Sequence, residues 1–330
     1  MSDTEASISA HQGERTPVFV YTDDGRDVDD MEALAYLVGS ENTEVVGVAT
    51  THMIPDRRAM IARAFLSHMG HPDIPIGAGS IFPLGKEDES LIQYLREHTI
   101  QGRTYEGDGL IECFPSAEEV VIGAIRKYGP ALRIASLAPL TDLAKVARSH
   151  PEEFATIGGL YIQGQATVEE GVLVPDPQAY NIKEDEEAAK SIFDLQTQVP
   201  LTIVGKFAAY QIPLTRVEFD RFEATSNPAG AYLKNHAIKG IQCFAERAPD
   251  IFRRVFGVEA TDLNSLSELS KPYDALVAMA IAHPEHFAPV RIGRHALIGM
   301  TKENPGLNDN DTVKRELVST IIRALVSNVV

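Results

Sequence analysis

The chain has 330 residues, of which 44% are hydrophobic and 23% charged, a composition typical of a folded globular protein with a large core. Lys and Arg total 30 against 47 Asp and Glu, which gives a formal net charge of -17. A surface this acidic repels phosphate backbones, so we expect no nucleic-acid partner. Cys113 and Cys243 are too few for a disulfide framework or a cysteine-based zinc site, and we expect both to be buried free thiols.

The N-terminal segment is polar and precedes the first apolar run. Its Ser, Glu and Gln content predicts a mobile tail over residues 1–16, followed by a single domain over residues 17–330. The segment has no apolar core of a signal peptide, and no later stretch reaches the roughly 18 apolar residues of a membrane span. We therefore expect a cytoplasmic protein without a membrane partner.

Strand and helix patterns alternate up to Gly205. Short apolar runs predict strands at residues 17–22, 44–50, 73–77, 132–137, 158–162 and 200–204. Helical spacing predicts helices at 28–38, 55–69, 90–97, 116–128 with Ser116 as N-cap, 141–148 with Thr141 as cap, and 184–195. This alternation indicates an α/β fold whose mostly parallel sheet is covered by helices on both faces. Ligands of such sheets bind beyond the carboxyl ends of the strands.

The C-terminal part is mainly helical. Helical patterns cover residues 218–256, 271–282 and 313–328, with one short strand pattern at 290–292. No repeat or linker interrupts the chain after residue 16. One domain with helical additions in its C-terminal half is therefore the simpler interpretation.

An acidic turn follows the first predicted strand. Five carboxylates fall within eight residues, Asp23, Asp24, Asp27, Asp29 and Asp30. Like charges this close raise one another's pKa or require a cation, and oxygen ligands favour Ca²⁺ or Mg²⁺. The alternative is a solvated turn that caps the next helix. The number of carboxylates, at the carboxyl end of a predicted parallel strand, favours the metal site.

Two other cation motifs do not fit this turn. An EF-hand beginning at Asp23 needs an oxygen ligand at its third position and Gly at its sixth, where the sequence has Gly25 and Val28. A phosphotransferase of the Asp-x-Asp type also needs a carboxylate at position 25. Both classes are therefore excluded.

The acidic turn resembles the opening signature of the inosine-uridine nucleoside hydrolase family. The match is TDDG at 22–25 and DDMEAL at 29–34, with the longer spacing of the family branch that carries a further Asp at position 27. Further family-like stretches follow in chain order, at residues 47–51, 73–79, 107–110, 138–143, 181–189 and 273–276. The resemblance implies a single α/β domain that hydrolyses the N-glycosidic bond of a small nucleoside or ribosyl substrate. It also implies a homo-oligomer, dimeric or tetrameric, of purine or pyrimidine metabolism.

The same resemblance implies roles for particular residues. Metal ligands would be Asp23, also the general base, together with Asp30, Asp274, the main-chain carbonyl of Leu137 and, directly or indirectly, Asp27. Asp29 and Asn181 would hold the sugar. The implied ion is Ca²⁺ in preference to Mg²⁺. Taken alone, Asp274 and Asn181 could equally be helix caps.

Three departures from the family pattern bear on the substrate. Tyr21 and Ala179 stand where relatives carry Asp and Glu, and an Asn expected within residues 171–174 is absent. Tyr273 replaces a His that assists the departing base, and its reference pKa of ~10 makes it a poorer proton shuttle at neutral pH. The missing Glu and Asn would contact the 5′ side of the ribose. We therefore hypothesise a 5′-altered or otherwise unusual ribosyl compound as substrate.

Replacement contacts could come from Asp176, Gln178 or His52, and Tyr273 could stack on the base or donate a proton to it. The remaining histidines, such as His68, His71, His98 and His236, and the pair Arg57 and Arg58 receive no role. A ribosyl-binding protein or degenerate hydrolase that keeps the fold and metal without turnover stays an alternative. A metal-dependent hydrolase of another sugar or of an amide is a third possibility.

Overall fold

The computed structural model describes residues 15–25, 27–84, 114–257 and 266–327. Most of the expected tail, the predicted helix at 90–97, the family-like stretch at 107–110, His98 and Cys113 lie outside these ranges. Cys243 is a free thiol but half-buried, so the expectation of burial was wrong for it. No helix within the described ranges has both the length and the apolar character needed to cross a membrane.

An eight-stranded sheet forms the centre of the described structure, in the order β11-β12-β8-β5-β4-β1-β2-β3. Its strands are β1 (Thr16–Thr22), β2 (Thr43–Thr50), β3 (Ile76–Ala78), β4 (Arg133–Ser136), β5 (Gly159–Gln163), β8 (Leu201–Val204), β11 (Val290–Ile292) and β12 (His295–Ile298). Neighbouring strands are parallel except β11 against β12. Two small antiparallel pairs join β6 (Ala166–Glu169) to β7 (Val172–Pro175) and β9 (Leu214–Thr215) to β10 (Glu268–Ser270). The predicted α/β fold with a mostly parallel sheet is confirmed.

Helices cover both faces of the sheet. In chain order they are α1 (Asp29–Gly39), α2 (Pro55–His68), α3 (Ala117–Tyr128), α4 (Thr141–Ser149), α5 (Pro151–Phe154), α6 (Tyr180–Glu184), α7 (Glu186–Phe193), α8 (Lys206–Ala209), α9 (Arg216–Glu223), α10 (Pro228–Arg247), α11 (Pro249–Phe256), α12 (Tyr273–Ala282) and α13 (Asn310–Val326). Single 3₁₀ turns lie at Gly129–Ala131, Asp194–Thr197 and Pro284–His286. One core cluster packs α1, α2, α12 and α13 on one face, and a second packs α3, α4 and α7 on the other.

The position of β1 explains where the acidic turn lies. Its apolar residues are buried from Pro17 to Tyr21, as a central strand covered on both faces requires. Tyr21 is in register with Ala49 of β2 and with Ser136 of β4. The carboxyl ends of these parallel strands therefore meet at one edge of the sheet.

Some predicted helix boundaries were wrong for local reasons. The pattern over 218–256 is divided among three helices because Pro228 and Pro249 each begin a new one. The pattern over 184–195 is interrupted at Asp185, whose carboxylate accepts a hydrogen bond from the Ala188 N–H and caps α7. The β6–β7 pair and β12 were not predicted.

The two predicted caps had different outcomes. Ser116 caps α3, because its hydroxyl accepts a hydrogen bond from the Glu119 N–H. Thr141 instead lies within α4, and its hydroxyl donates to Asp185 at 2.6 Å. It therefore ties α4 to the start of α7 and does not cap its own helix.

We predict that Gly39→Ala lowers the free energy of unfolding by about 1–3 kcal/mol. A Cβ at Gly39 would overlap the carbonyl oxygen of Thr320 and lie 3.0 Å from Ala324 Cβ, so α1 and α13 would have to separate. Gly123 in α3 is the matched control, because a Cβ there meets no atom within 4 Å. Gly123→Ala should stabilise the protein by roughly 0.5–1 kcal/mol. Urea unfolding measures both, and a neutral Gly39→Ala would contradict this packing.

Candidate active site

The acidic turn connects the end of β1 to the first turn of α1. Asp29 and Asp30 are the first two residues of α1, and both are buried. The N-cap position belongs to Val28, which offers no side-chain cap. Neither carboxylate is therefore a solvated cap, and the capping alternative does not describe them.

Burial and mutual repulsion act on these carboxyl groups together. Burial is the main cause that raises the pKa of Asp29, Asp30 and Asp274 well above the ordinary value of an aspartate. The charges of Asp23 and Asp27 raise the pKa of both Asp30 and Asp274 further. Asp274 is thus close enough to the carboxylates of the turn to share their electrostatic environment, although it is distant in sequence. Such a cluster is neutralised by protons or by a cation.

The geometry of the cluster suits a cation bound by oxygen. Carboxylate oxygens of Asp27, Asp29 and Asp30 lie within 4.8 Å of one another, and Asp27 is exposed while the other two are buried. Thr22 donates a 2.5 Å hydrogen bond to Asp30 Oδ1, which also accepts from the Asp23 N–H at 3.3 Å. The group therefore extends from the interior to solvent, with Asp30 held in place.

Asp274 and Asn181 are not helix caps. Asp274 is the second residue of α12, whose N-cap is Pro272. Asn181 lies within α6, where Ala179 is the N-cap without a side-chain bond. Each side chain is thus left for another role.

Asn181 connects the neighbouring strand ends. Its amide donates to the carbonyl oxygen of Leu137 at 2.8 Å and to Gln163 Oε1 at 2.9 Å. The Leu137 N–H donates to the carbonyl of Tyr21, which places Leu137 beside the end of β1. A carbonyl oxygen has two lone pairs, so Leu137 can accept from Asn181 and still bind a cation. Gln163 was not predicted, although a polar residue ending a buried strand was the available signal.

Arg58 and His236 hold the main chain of the acidic turn, contrary to the expectation that neither has a role. Arg58 is buried, and its guanidinium donates to the carbonyl oxygens of Asp24 and His52. His236 Nε2 lies 2.8 Å from the carbonyl oxygen of Asp27. These side chains fix the backbone that presents the carboxylates.

His52 lies in a second turn, beside the first. His52 and Met53 have φ angles of 68° and 65°, a left-handed conformation that is strained for residues other than glycine and concentrated at functional sites. The His52 ring is buried, with Nε2 3.8 Å from a carboxylate oxygen of Glu184. Gln178, by contrast, is exposed on the loop before α6, where its N–H donates to Asp176. Glu184 was not predicted.

Tyr273 adjoins the acidic cluster and an aromatic neighbour. Its ring meets that of Tyr210 edge-on at 6.1 Å, and Tyr210 meets Phe207 at 5.8 Å. Burial raises the pKa of Tyr273 above its ordinary value, and Tyr210 and Asp29 raise it further. Tyr273 is therefore a neutral hydrogen-bond donor. Tyr21 instead packs in the core, 5.4 Å from the ring of Phe19.

Comparison with known proteins identifies the family. The family model described as inosine-uridine preferring nucleoside hydrolase matches residues 18–321. The chain belongs to this family. Its members hydrolyse ribosyl compounds, so the chain is related to enzymes of the N-glycosidase type throughout nearly its whole length.

Individual nucleoside hydrolases and solved structures are also similar to the chain. The pyrimidine-specific ribonucleoside hydrolase RihA of Salmonella schwarzengrund is 26% identical over 215 residues, 64% of this chain and 67% of the relative. The structure of type III effector protein XopQ complexed with adenosine diphosphate ribose has a TM-score of 0.78 at 17% identity, covering 94% of each chain. The purine-preferring ribonucleoside hydrolase from Gardnerella vaginalis has a TM-score of 0.71 at 19% identity, covering 94% of this chain and 99% of that one. These structures show the same fold.

We predict that Ca²⁺ raises the melting temperature more at pH 7.5 than at pH 5. Without a cation, the raised pKa values of Asp29, Asp30 and Asp274 mean that the folded protein retains protons that the unfolded chain releases. Their contribution to stability therefore falls as pH rises above the unfolded pKa, and a bound cation offsets the loss.

Differential scanning fluorimetry measures this effect. Asp30→Asn should abolish most of the gain, whereas Asp56→Asn, which alters an exposed carboxylate of α2, should retain it. An equal rise in melting temperature at both pH values, or an undiminished rise in Asp30→Asn, would contradict a cation site at the acidic cluster.

Proposed function

We propose that this protein hydrolyses the N-glycosidic bond of a nucleoside or related ribosyl compound with the help of a bound Ca²⁺. Family membership supports the reaction class. The observation that carries the proposal is the convergence of Asp23, Asp30 and Asp274 at the carboxyl edge of the sheet, where their charges act on one another. A shared divalent cation is the simplest partner for this charge.

The oxygen donors fit Ca²⁺. Carboxylates of Asp23, Asp30 and Asp274 and the carbonyl of Leu137 would hold the ion, with Asp27 as a further candidate ligand. Ca²⁺ accepts irregular sets of such hard donors, whereas Mg²⁺ demands a near-ideal octahedron. When bound, the ion supplies a Lewis acid that acidifies water and orients sugar hydroxyls.

Side chains of the site provide the remaining steps. Asp23, which directly follows β1 and is 9% exposed, takes a proton from the water that attacks the anomeric carbon. The new C1′–O bond forms as the C1′–N bond breaks, and the base departs with the bonding electrons. Asp29 and Asn181 bind the sugar hydroxyls. Tyr273 would stack on the base or donate a hydrogen bond to its departing nitrogen.

We further propose that the substrate is altered at its ribose 5′ position. Ala179, directly before α6, is small where the family resemblance implies a Glu. His52 and Glu184, whose side chains approach to 3.8 Å, could supply polar contacts in its place. The structure of XopQ, which has a similar fold, contains adenosine diphosphate ribose, a ribosyl compound substituted at the ribose 5′ position.

We predict that Asp23→Ala lowers kcat by about 10²–10⁴-fold, because the variant lacks the base that accepts the water proton. Asp56→Asn is the control and should keep wild-type rates. Steady-state kinetics with a panel of ribosyl substrates measures both. A wild-type protein that binds these compounds without turnover, and loses only affinity in Asp23→Ala, would instead support the ribosyl-binding alternative.

We also predict that wild-type protein hydrolyses 5′-substituted nucleosides faster than inosine or uridine. Ala179→Glu restores the family residue and should shift the ratio of kcat/KM towards nucleosides with a free 5′ hydroxyl. Mass spectrometry of paired substrates measures this ratio. A strong wild-type preference for plain inosine or uridine would contradict the 5′ proposal while leaving the hydrolase proposal intact.

Light scattering of the full chain would test the dimer or tetramer that the family resemblance implies. A monomer at micromolar concentration would contradict that expectation. The result is independent of the substrate.

A further inference from the structure

A second cluster of metal-binding side chains lies at the opposite end of α12 from Asp274. His283 follows the last residue of this helix, and Pro284–His286 forms the next turn. One ligand atom from each of His283, Glu285 and His286 lies within 4.8 Å of the other two. Among the described residues, this group and the one at Asp27, Asp29 and Asp30 are those with suitable spacing.

Side chains from other elements converge on this cluster. His283 Nδ1 lies 2.8 Å from Glu285 Oε1, and its Nε2 lies 3.8 Å from Glu316 Oε1 of α13. The two imidazole rings are 5.6 Å apart. Glu285 and Glu316 therefore approach opposite ring nitrogens of His283.

The hydroxyl of Tyr36, beside this cluster, is a buried polar group without a hydrogen-bond partner among the described residues. Tyr36 belongs to α1, is fully buried, and its ring meets that of His283 edge-on at 6.4 Å. Burial raises the pKa of Tyr36, and the charges of Glu316 and Glu285 raise it further. A buried polar group without a partner is costly unless a ligand or a water satisfies it.

An ordinary surface ion pair does not explain the whole arrangement around His283. His150 shows what such a pair looks like here, because it contacts Glu118 at 3.0 Å and Glu153 at 2.9 Å without a second histidine in its group. Exposed pairs of this kind contribute little to stability. They account neither for the adjacent His286 nor for the buried hydroxyl of Tyr36.

We propose that His283, Glu285 and His286 form a second metal site for a borderline ion such as Zn²⁺, with Glu316 beside the other ring nitrogen of His283 as a partner that orients the ring. Two imidazoles and a carboxylate suit Zn²⁺, whereas the oxygen-only donors at the acidic turn suit Ca²⁺. In tetrahedral geometry with bonds near ~2.0 Å, ligand atoms lie roughly 3.3 Å apart, so small rotations close the site.

The position of this site indicates a structural role. It follows α12, contacts α13 through His283 and Glu316, and adjoins Tyr36 of α1. The ten-residue helix α12 spans about 15 Å, so the ion would lie far from Asp274 while securing the other end of the same helix. The helices α1 and α12 carry Asp29, Asp30 and Asp274. Zn²⁺ would therefore stabilise the scaffold of the acidic cluster and take no part in its chemistry.

The experiment is a Zn²⁺ titration by calorimetry of the full chain after chelation. The titration uses as its background the double variant Asp30→Asn/Asp274→Asn, in which the acidic cluster can no longer bind Zn²⁺. If that variant does not fold, the wild type is titrated in saturating Ca²⁺, which occupies the acidic cluster. The expected result is one Zn²⁺ per chain, with a melting temperature raised by Zn²⁺.

Variants in that background test the ligands. His286→Ala and Glu285→Gln should each weaken Zn²⁺ binding on the order of 100-fold and abolish the thermal gain. His150→Ala is the matched control and should bind as tightly as the background. Absence of Zn²⁺ binding, or binding that survives both His286→Ala and Glu285→Gln, would overturn the proposal. Because hydrolysis is not the readout, failure here is distinct from failure of the proposed function.

Discussion

The repulsion among buried carboxylates at the end of β1 is the constraint on which the functional account depends. An uncompensated buried charge costs several kcal/mol, yet Asp29, Asp30 and Asp274 are at most 5% exposed. After burial, the charge of Asp30 raises the pKa of Asp29, and the charges of both raise the pKa of Asp274. Hydrogen bonds from Thr22 and from the Asp23 N–H stabilise only part of this charge. A divalent cation would stabilise the rest and would use the same groups to prepare water for attack.

The fold supplies rigid support for this unfavourable cluster. The sheet brings the ends of β1, β2 and β4 together, and α12, which is buried at every position from Asp274 to Ala282, supplies the distant carboxylate. The N-terminal ends of α1 and α12 direct the positive ends of their dipoles towards the carboxylates, which stabilises negative charge. Buried Arg58 and His236 contact the backbone carbonyls of Asp24 and Asp27 and so fix the main chain of the turn.

The sequence predicts most of the sheet and the centre of the site, because both depend on local patterns. Apolar runs separated by amphipathic stretches indicate parallel strands, and the crowding around Asp23 is visible over eight residues. The supporting contacts are not local, since His236 is 209 residues from the carbonyl that it contacts at Asp27. Arg58 received no role from the sequence, although it shares the helical spacing of buried Ile61, Ala62 and Phe65. Glu184 and Gln163 contact their partners only through the tertiary fold.

The most direct test of the central claim is a crystal structure of the protein soaked with Ca²⁺ and ribose. The account predicts one Ca²⁺ bounded by the carboxylates of Asp23, Asp30 and Asp274 and by the Leu137 carbonyl, with oxygen distances of about 2.3–2.6 Å. The sugar hydroxyls should contact Asp29 and Asn181. Well-ordered carboxylates without a cation at millimolar Ca²⁺, or ribose bound at a place remote from β1, would contradict it.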